Sequence, residues 1–85
     1  MIKTRPVPFA EFSSFLQRLG YVEKPYPNGR VFLHPEEGLL AFRYYRDDEA
    51  VLPRDLIRTR TFLDLRGVIE AADFDAALLQ ADTPA

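Results

Sequence analysis

The sequence predicts an α+β fold in two layers, with one three-stranded antiparallel sheet and helices packed on a single face of it. Three patterns point there. Phe9, Phe12, Leu16 and Leu19 recur at spacings of three and four, while Glu11, Ser14 and Arg18 fall between them, which is the pattern of an amphipathic helix over Pro8 to Leu19. Three runs rich in strand-forming residues follow, parted by short turns of Pro, Gly and Asn. Pro53 and Asp55 then open a second helical stretch that stops at Gly67.

Taken in order, Pro8 suits the first turn of the first helix, and Gly20 sits where a left-handed cap is expected. Tyr21 and Val22 lead into a short first strand, and Pro25, Pro27, Asn28 and Gly29 turn the chain. Arg30 to His34 is the second strand, Pro35 to Gly38 the next turn, and Leu39 to Arg46 the third strand, with Phe42, Tyr44 and Tyr45. In the second helix Leu56, Ile57, Phe62, Leu63 and Leu65 do not form a clean stripe, and Arg60 falls between its apolar positions, its stem covered and its head reaching out. Phe74, Ala77, Leu78 and Ala81 line one face of an extra C-terminal helix over about residues 70–81. Phe9, Phe12, Leu16, Leu19, Phe32, Phe42, Leu56 and Leu63 are the expected core. Phe32 tests the register, because a slip of one residue would send it to solvent and exchange the two faces of the sheet.

The chain of 85 residues is expected to be a single domain, of a size at which about 60% of the unfolded surface is buried. With 47% hydrophobic residues, including seven Phe and four Tyr, it has the apolar material to fold without metals or disulfides. Absence of cysteine removes disulfide frameworks and thiolate zinc sites, and the single histidine disfavours other histidine-based metal sites, so no metal and no cofactor is expected. Met1 to Pro8 lacks the apolar segment of a secretory signal, and no apolar run reaches the length of a membrane span. A soluble, cytoplasmic protein is the expectation.

A net charge of −2 disfavours strong nonspecific attachment to a polyanion. The charge is unevenly spread: residues 1 to 66 carry all eleven bases against nine acids, and residues 67 to 85 carry four acids alone. Arg43, Arg46, Arg54, Arg58 and Arg60 fall within eighteen residues, interrupted by Asp47, Asp48, Glu49 and Asp55. Such a stretch is either a salt-paired solvated surface or an Arg-rich face whose guanidinium forks fit phosphate and carboxylate. The residues that would form an RNA or partner-binding face are Arg30, Arg43, Tyr45, Arg46, Arg58 and Arg60. Because strand residues alternate, one of Tyr44 and Tyr45 is core and the other is available for stacking. If Phe32 faces the helices, Val31 and Leu33 lie on the open face beside a third-strand partner such as Ala41 or Tyr45, an apolar patch that a dimer or another partner should cover.

The segments Leu19-Gly20-Tyr21-Val22, Val31-Phe32-Leu33-His34-Pro35 and Pro53 to Gly67-Val68 occur in an order that resembles the HicA-type mRNA interferase toxins, over about residues 9 to 68. These are small bacterial ribonucleases with a double-stranded-RNA-binding-like fold, in which a Gly-Ser-His motif opens the second strand. The resemblance implies an α-β-β-β-α core over about residues 8–68, an RNA substrate and an antitoxin-like protein partner. Two departures stand out. The helix beyond Gly67 exceeds the minimal toxin, and Pro27-Asn28-Gly29 stands where the family has Gly-Ser-His, with Gly29 at the position of its catalytic histidine.

Metal-free RNA cleavage needs a group to take the 2′-hydroxyl proton, and a glycine cannot supply one. His34 is the only imidazole in the chain, and a lone histidine at a strand end is ordinarily a hydrogen-bonded structural residue. Glu36-Glu37 and Asp47-Asp48 would need a metal to act on a phosphodiester, and adjacent acids in turns are ordinarily solvated charges. Three readings follow: a HicA-like module without catalysis that binds a protein or RNA, a metal-independent ribonuclease relying on His34, or a small structural or regulatory domain sharing only the fold.

Overall fold

The structure, a computed structural model, describes residues 5–79. Helix α1 (Phe9–Arg18) buries Phe9, Phe12, Phe15 and Leu16, with Leu19 half-buried behind them. It ends in a Schellman motif, in which the Gly20 amide donates to the Gln17 carbonyl (3.0 Å) and the Tyr21 amide to that of Leu16 (3.1 Å). Gly20 has φ +102°, and a Cβ there would come within 2.8 Å of His34 Nε2, so both backbone and packing require glycine. The other end of α1 has no side-chain cap. Its first amides, on Phe9 and Ala10, donate to the carbonyls of Glu49 (2.8 Å) and Asp47 (3.0 Å), so a distant loop satisfies the helix start.

Strands β1 (Val22–Lys24), β2 (Gly29–His34) and β3 (Gly38–Arg43) form an antiparallel meander in the order β1-β2-β3. Glu23 pairs with Phe32 and Phe32 with Leu40, while Val22 pairs with Leu33 and Leu33 with Leu39. This register turns Arg30, Phe32, Leu40 and Phe42 toward the helices and Val22, Val31, Leu33, Leu39 and Ala41 away from them. Phe32 is fully buried, as expected. Its ring lies 6.0 Å from Phe9, and Phe12 meets Phe42 edge-on at 5.4 Å. Each such ring contributes roughly 2–3 kcal/mol by leaving water.

The third strand ends at Arg43 rather than Arg46. Gly29–Arg43 is the last pair of the ladder, and Asn28, the next residue that could pair, is already in the β1–β2 turn. Freed of the ladder, the chain bends and sends Tyr45 into the core, where its ring stacks on Phe9 at 4.9 Å. Tyr45 is therefore not on the open face.

Helix α2 (Pro53–Leu65) starts at Pro53 and ends at a second Schellman motif, closed by the Gly67 and Val68 amides on the carbonyls of Asp64 and Leu63. Leu56 and Leu63 join the core and Phe62 is half-buried, whereas Ile57 and Leu65 are exposed, which is why no clean stripe was readable. Helix α3 (Ala71–Phe74) widens into a π-helical stretch, Asp75–Leu79. Phe74 and Leu78 point inward, Phe74 meeting Phe15 edge-on at 5.5 Å, and Ala77 is exposed. The expected continuation to residues 80 and 81 lies outside the described residues. Among the described residues no helix is long and apolar enough to cross a membrane.

Candidate functional site

Two surfaces gather the residues that the sequence singles out, a polar cleft beside the β1–β2 turn and the open face of the sheet. Arg30 lines the cleft but belongs to the framework. As the core-facing neighbour of Phe32 it lies over the Phe9 ring at 4.3 Å, its Nε and Nη2 grip Glu23 at 2.6 and 3.0 Å, and its Nη1 donates to Asp47 Oδ1 (2.8 Å) and to the Tyr45 carbonyl (3.1 Å). The bond to Glu23, more than the others, holds its pKa above the ordinary arginine value. Glu23 also accepts from Ser13, which in turn accepts from Gln17. Arg30 thus ties α1, β1, β2 and the 45–47 segment together. A guanidinium with its donors committed in this way is unavailable for a phosphate.

Six other arginines are paired with carboxylates, whereas Arg18 and Arg54 are exposed and have no ion pair. Arg43 donates to Glu49 Oε2 (2.6 Å) and to the Tyr44 carbonyl while its guanidinium covers the Tyr45 ring at 4.0 Å. That bond lowers the pKa of Glu49 and raises that of Arg43. Arg46 reaches Asp48, and Arg58 reaches the Ala41 carbonyl at 3.0 Å and Asp55 at 3.4 Å. Arg60 grips Asp75 with two bonds, of 2.8 and 3.0 Å, its pKa raised chiefly by that contact. Arg66 meets Glu37, and Arg5 meets Glu11. Within the cluster Arg43, Arg46 and Arg58 therefore meet interleaved acids and Arg60 meets Asp75, whereas Arg54 is exposed and has no ion pair.

Tyr45, offered by the sequence as a stacking surface, has no exposed area. Its hydroxyl donates to Asp55 Oδ2 (2.5 Å) and accepts from the Leu52 amide (3.1 Å), and burial first, then the Asp55 bond, raises its pKa. Tyr44, 60% exposed, is the ring that faces solvent, and exposed Tyr26 lines the same cleft.

His34 holds a turn. Its Nδ1 accepts from the amides of Glu36 (3.0 Å) and Glu37 (3.1 Å), its ring meets Tyr21 edge-on at 5.0 Å, and its Nε2 lies against Gly20. Two amide hydrogens aimed at Nδ1 fix the tautomer with the proton on Nε2. Gly29 lies within β2 opposite Arg43, and a Cβ there would be 2.5 Å from the Phe42 carbonyl oxygen. No side chain fits at position 29 on this backbone.

The open face is different in kind. Val22, Leu33 and Leu39 form a row across all three strands, with exposures of 52%, 37% and 54%. Val31 and Ala41 form the adjoining row, with Lys24 at its β1 end. The C-terminal helix packs on the opposite side through Phe74 and Leu78, and none of the described residues covers the patch. Three aliphatic side chains in a line, with none of the described residues over them, make a contiguous exposed apolar patch.

No family model, curated protein or solved structure matches the chain.

Function must therefore be argued from the residues. Val31 and Leu33 lie on the open face where alternation puts them, beside Ala41. Val22 and Leu39 were missed because their place opposite Leu33 depends on the pairing register, which a single sequence does not display. Among the described residues no group of three or more His, Asp or Glu side chains is arranged to hold a metal ion.

Proposed function

We propose that the protein is a HicA-like module without nuclease chemistry, acting in the cytoplasm by binding a protein partner through the open face of its sheet. The observation that carries this reading is the exposed row Val22–Leu33–Leu39, flanked by Val31 and Ala41, with no covering element among the described residues. Pairing of seven arginines with carboxylates supports a protein over RNA, since counterion release from phosphates drives RNA attachment and, among the described residues, only Arg18, Lys24 and Arg54 are cations without an ion pair. Closure of position 29 by the Phe42 carbonyl and commitment of His34 Nδ1 to two amides support a non-catalytic role.

The test compares the wild type with Leu39→Glu, which adds a charge to an exposed site without emptying the core. Expected is a specific protein retained on immobilised wild type and lost from the variant, with the same circular dichroism and melting for both. Retention by both would exclude the sheet face. Salt-sensitive RNA binding lost on replacing Arg43, Arg46 and Arg58 would instead make RNA the ligand.

A further inference from the structure

The two edges of the sheet are unequal. β1 closes one edge with three residues and carries Lys24, a short charged border of the kind that discourages further pairing. β3 forms the other edge with six residues, and none of the described residues adds a strand to it. In an antiparallel ladder the backbone groups of successive residues point alternately toward and away from the neighbouring strand. Arg58 Nη2, reaching over from α2, donates to the Ala41 carbonyl (3.0 Å), so that carbonyl points outward, and by alternation the main-chain groups of Leu39 and Arg43 point the same way. Beside this edge a cleft of about 370 Å³ opens between β3 and α2, lined by Ala41, Arg43, Arg54, Asp55 and Arg58. Three cations face one carboxylate there, and that carboxylate is already engaged: Asp55 Oδ2 accepts from Tyr45, and Oδ1 stands 3.4 Å from Arg58. Arg54 is exposed and has no ion pair among the described residues.

A row of outward main-chain donors and acceptors is complementary to another extended backbone, and unbalanced positive charge alongside it is complementary to an acid. We propose that the outer edge of β3 takes up an extended segment of a partner protein as an added strand, with an acidic side chain of that segment held in the cleft by Arg54 and Arg58. Arg43 is committed to Glu49 and to the Tyr44 carbonyl, and contributes its charge alone. Arg58 has two parts to play. In the free chain its guanidinium occupies the Ala41 carbonyl, and a charge on an open edge turns away arbitrary strands. When the acid arrives, the guanidinium swings to it and leaves the carbonyl to an incoming amide. A segment without the acid has to displace Arg58 with nothing in exchange, and one with a lysine there is repelled. The site uses the main chain of β3 and the arginines of α2, so it does not depend on the apolar row of the open face.

The test titrates isotope-labelled protein with two acetylated, amidated peptides, Thr-Val-Asp-Val-Thr and Thr-Val-Lys-Val-Thr, and follows each backbone amide by nuclear magnetic resonance. The aspartate peptide should bind with Kd on the order of 1 mM, and the lysine peptide about fivefold or more weaker. The amides of Leu39, Ala41 and Arg43 should shift most and exchange more slowly with solvent. Arg54→Glu, at an exposed position, should leave the melting curve in place and invert the preference between the peptides. Arg58→Ala uncovers the Ala41 carbonyl, so the discrimination should shrink while strand addition persists. Methylating the main-chain nitrogens of the aspartate peptide should abolish binding, because charge attraction alone does not need them. An aspartate peptide that leaves the β3 amides unmoved at about ten times the expected Kd overturns the proposal, as does equal binding of the two peptides or undiminished binding of the methylated one. Binding of oligouridylate in the cleft with none of either peptide would assign it to nucleic acid and overturn the proposal as well.

Discussion

Tyr45 uses its hydroxyl in both directions, donating to Asp55 and accepting from the Leu52 amide, and its ring lies between Phe9 and the Arg43 guanidinium. Tyr45→Phe keeps the ring but removes the hydroxyl bonded to Asp55 Oδ2 and to the Leu52 amide, leaving Asp55 only its contact with Arg58. The expected cost is about 1–3 kcal/mol, read as a lower urea midpoint at unchanged slope, and a loss below about 0.5 kcal/mol would contradict the bonding described. The same hydroxyl predicts a pH effect. Burial is the main cause that raises Tyr45, assisted by Asp55, and also the main cause that raises Tyr21, assisted by Glu37 and opposed by Arg66. Both ionise later in the folded chain than in the unfolded one, so their contribution is complete below the unfolded value of about 10 and is lost as pH rises toward the folded one. Melting temperature should be flat from pH 8 to about 10 and fall above it, with a shallower fall in Tyr45→Phe. Gly29 makes a third residue-scale case: Gly29→Ala places a methyl 2.5 Å from the Phe42 carbonyl, and part of the β2–β3 ladder must open to admit it. A loss of about 1–3 kcal/mol is expected, with faster amide exchange confined to those two strands.

At the scale of elements, the helices and strands were legible because their signals are local. The Phe9–Phe12–Leu16 spacing, the glycines that close both Schellman motifs and the prolines of the first turn announce themselves within a few residues. What the sequence hides is anything set by partners far along the chain. The end of β3 at Arg43 depends on where β2 begins, so Tyr45 reads as a strand residue although it is core. Arg30 reads as a free cation because Glu23 and Asp47 lie seven and seventeen positions away. The C-terminal helix reads as an appendage, yet Phe74 and Leu78 are fully buried. Phe74→Ala should accordingly cost about 3–5 kcal/mol and lower the melting temperature of the whole domain in one transition. A variant that melts like wild type would show that this helix contributes nothing to the core.

For the molecule as a whole, the expectation is binding without turnover. On the proposed function, purified protein incubated with a defined RNA in EDTA should give no products ending in a 2′,3′-cyclic phosphate, because general acid–base help is worth about 10²–10⁴ in rate, position 29 admits no side chain and His34 Nδ1 is held by two amides. Cleavage by the wild type that disappears in His34→Ala would reverse this. One feature of the architecture bears on how the chain comes to be folded at all. The first amides of α1 find their acceptors at Asp47 and Glu49, and the Val51 amide returns to Val7. During synthesis, a chain that has emerged only as far as β3 already holds the helix and the meander, but the helix start is unanchored and Phe9 lacks the Tyr45 ring that stacks on it. Local elements form early and in isolation remain marginal. The N-terminal half therefore cannot satisfy its own helix start before the segment from Tyr45 to Val51 is available, and Leu56, Leu63, Phe74 and Leu78 complete the core only after that.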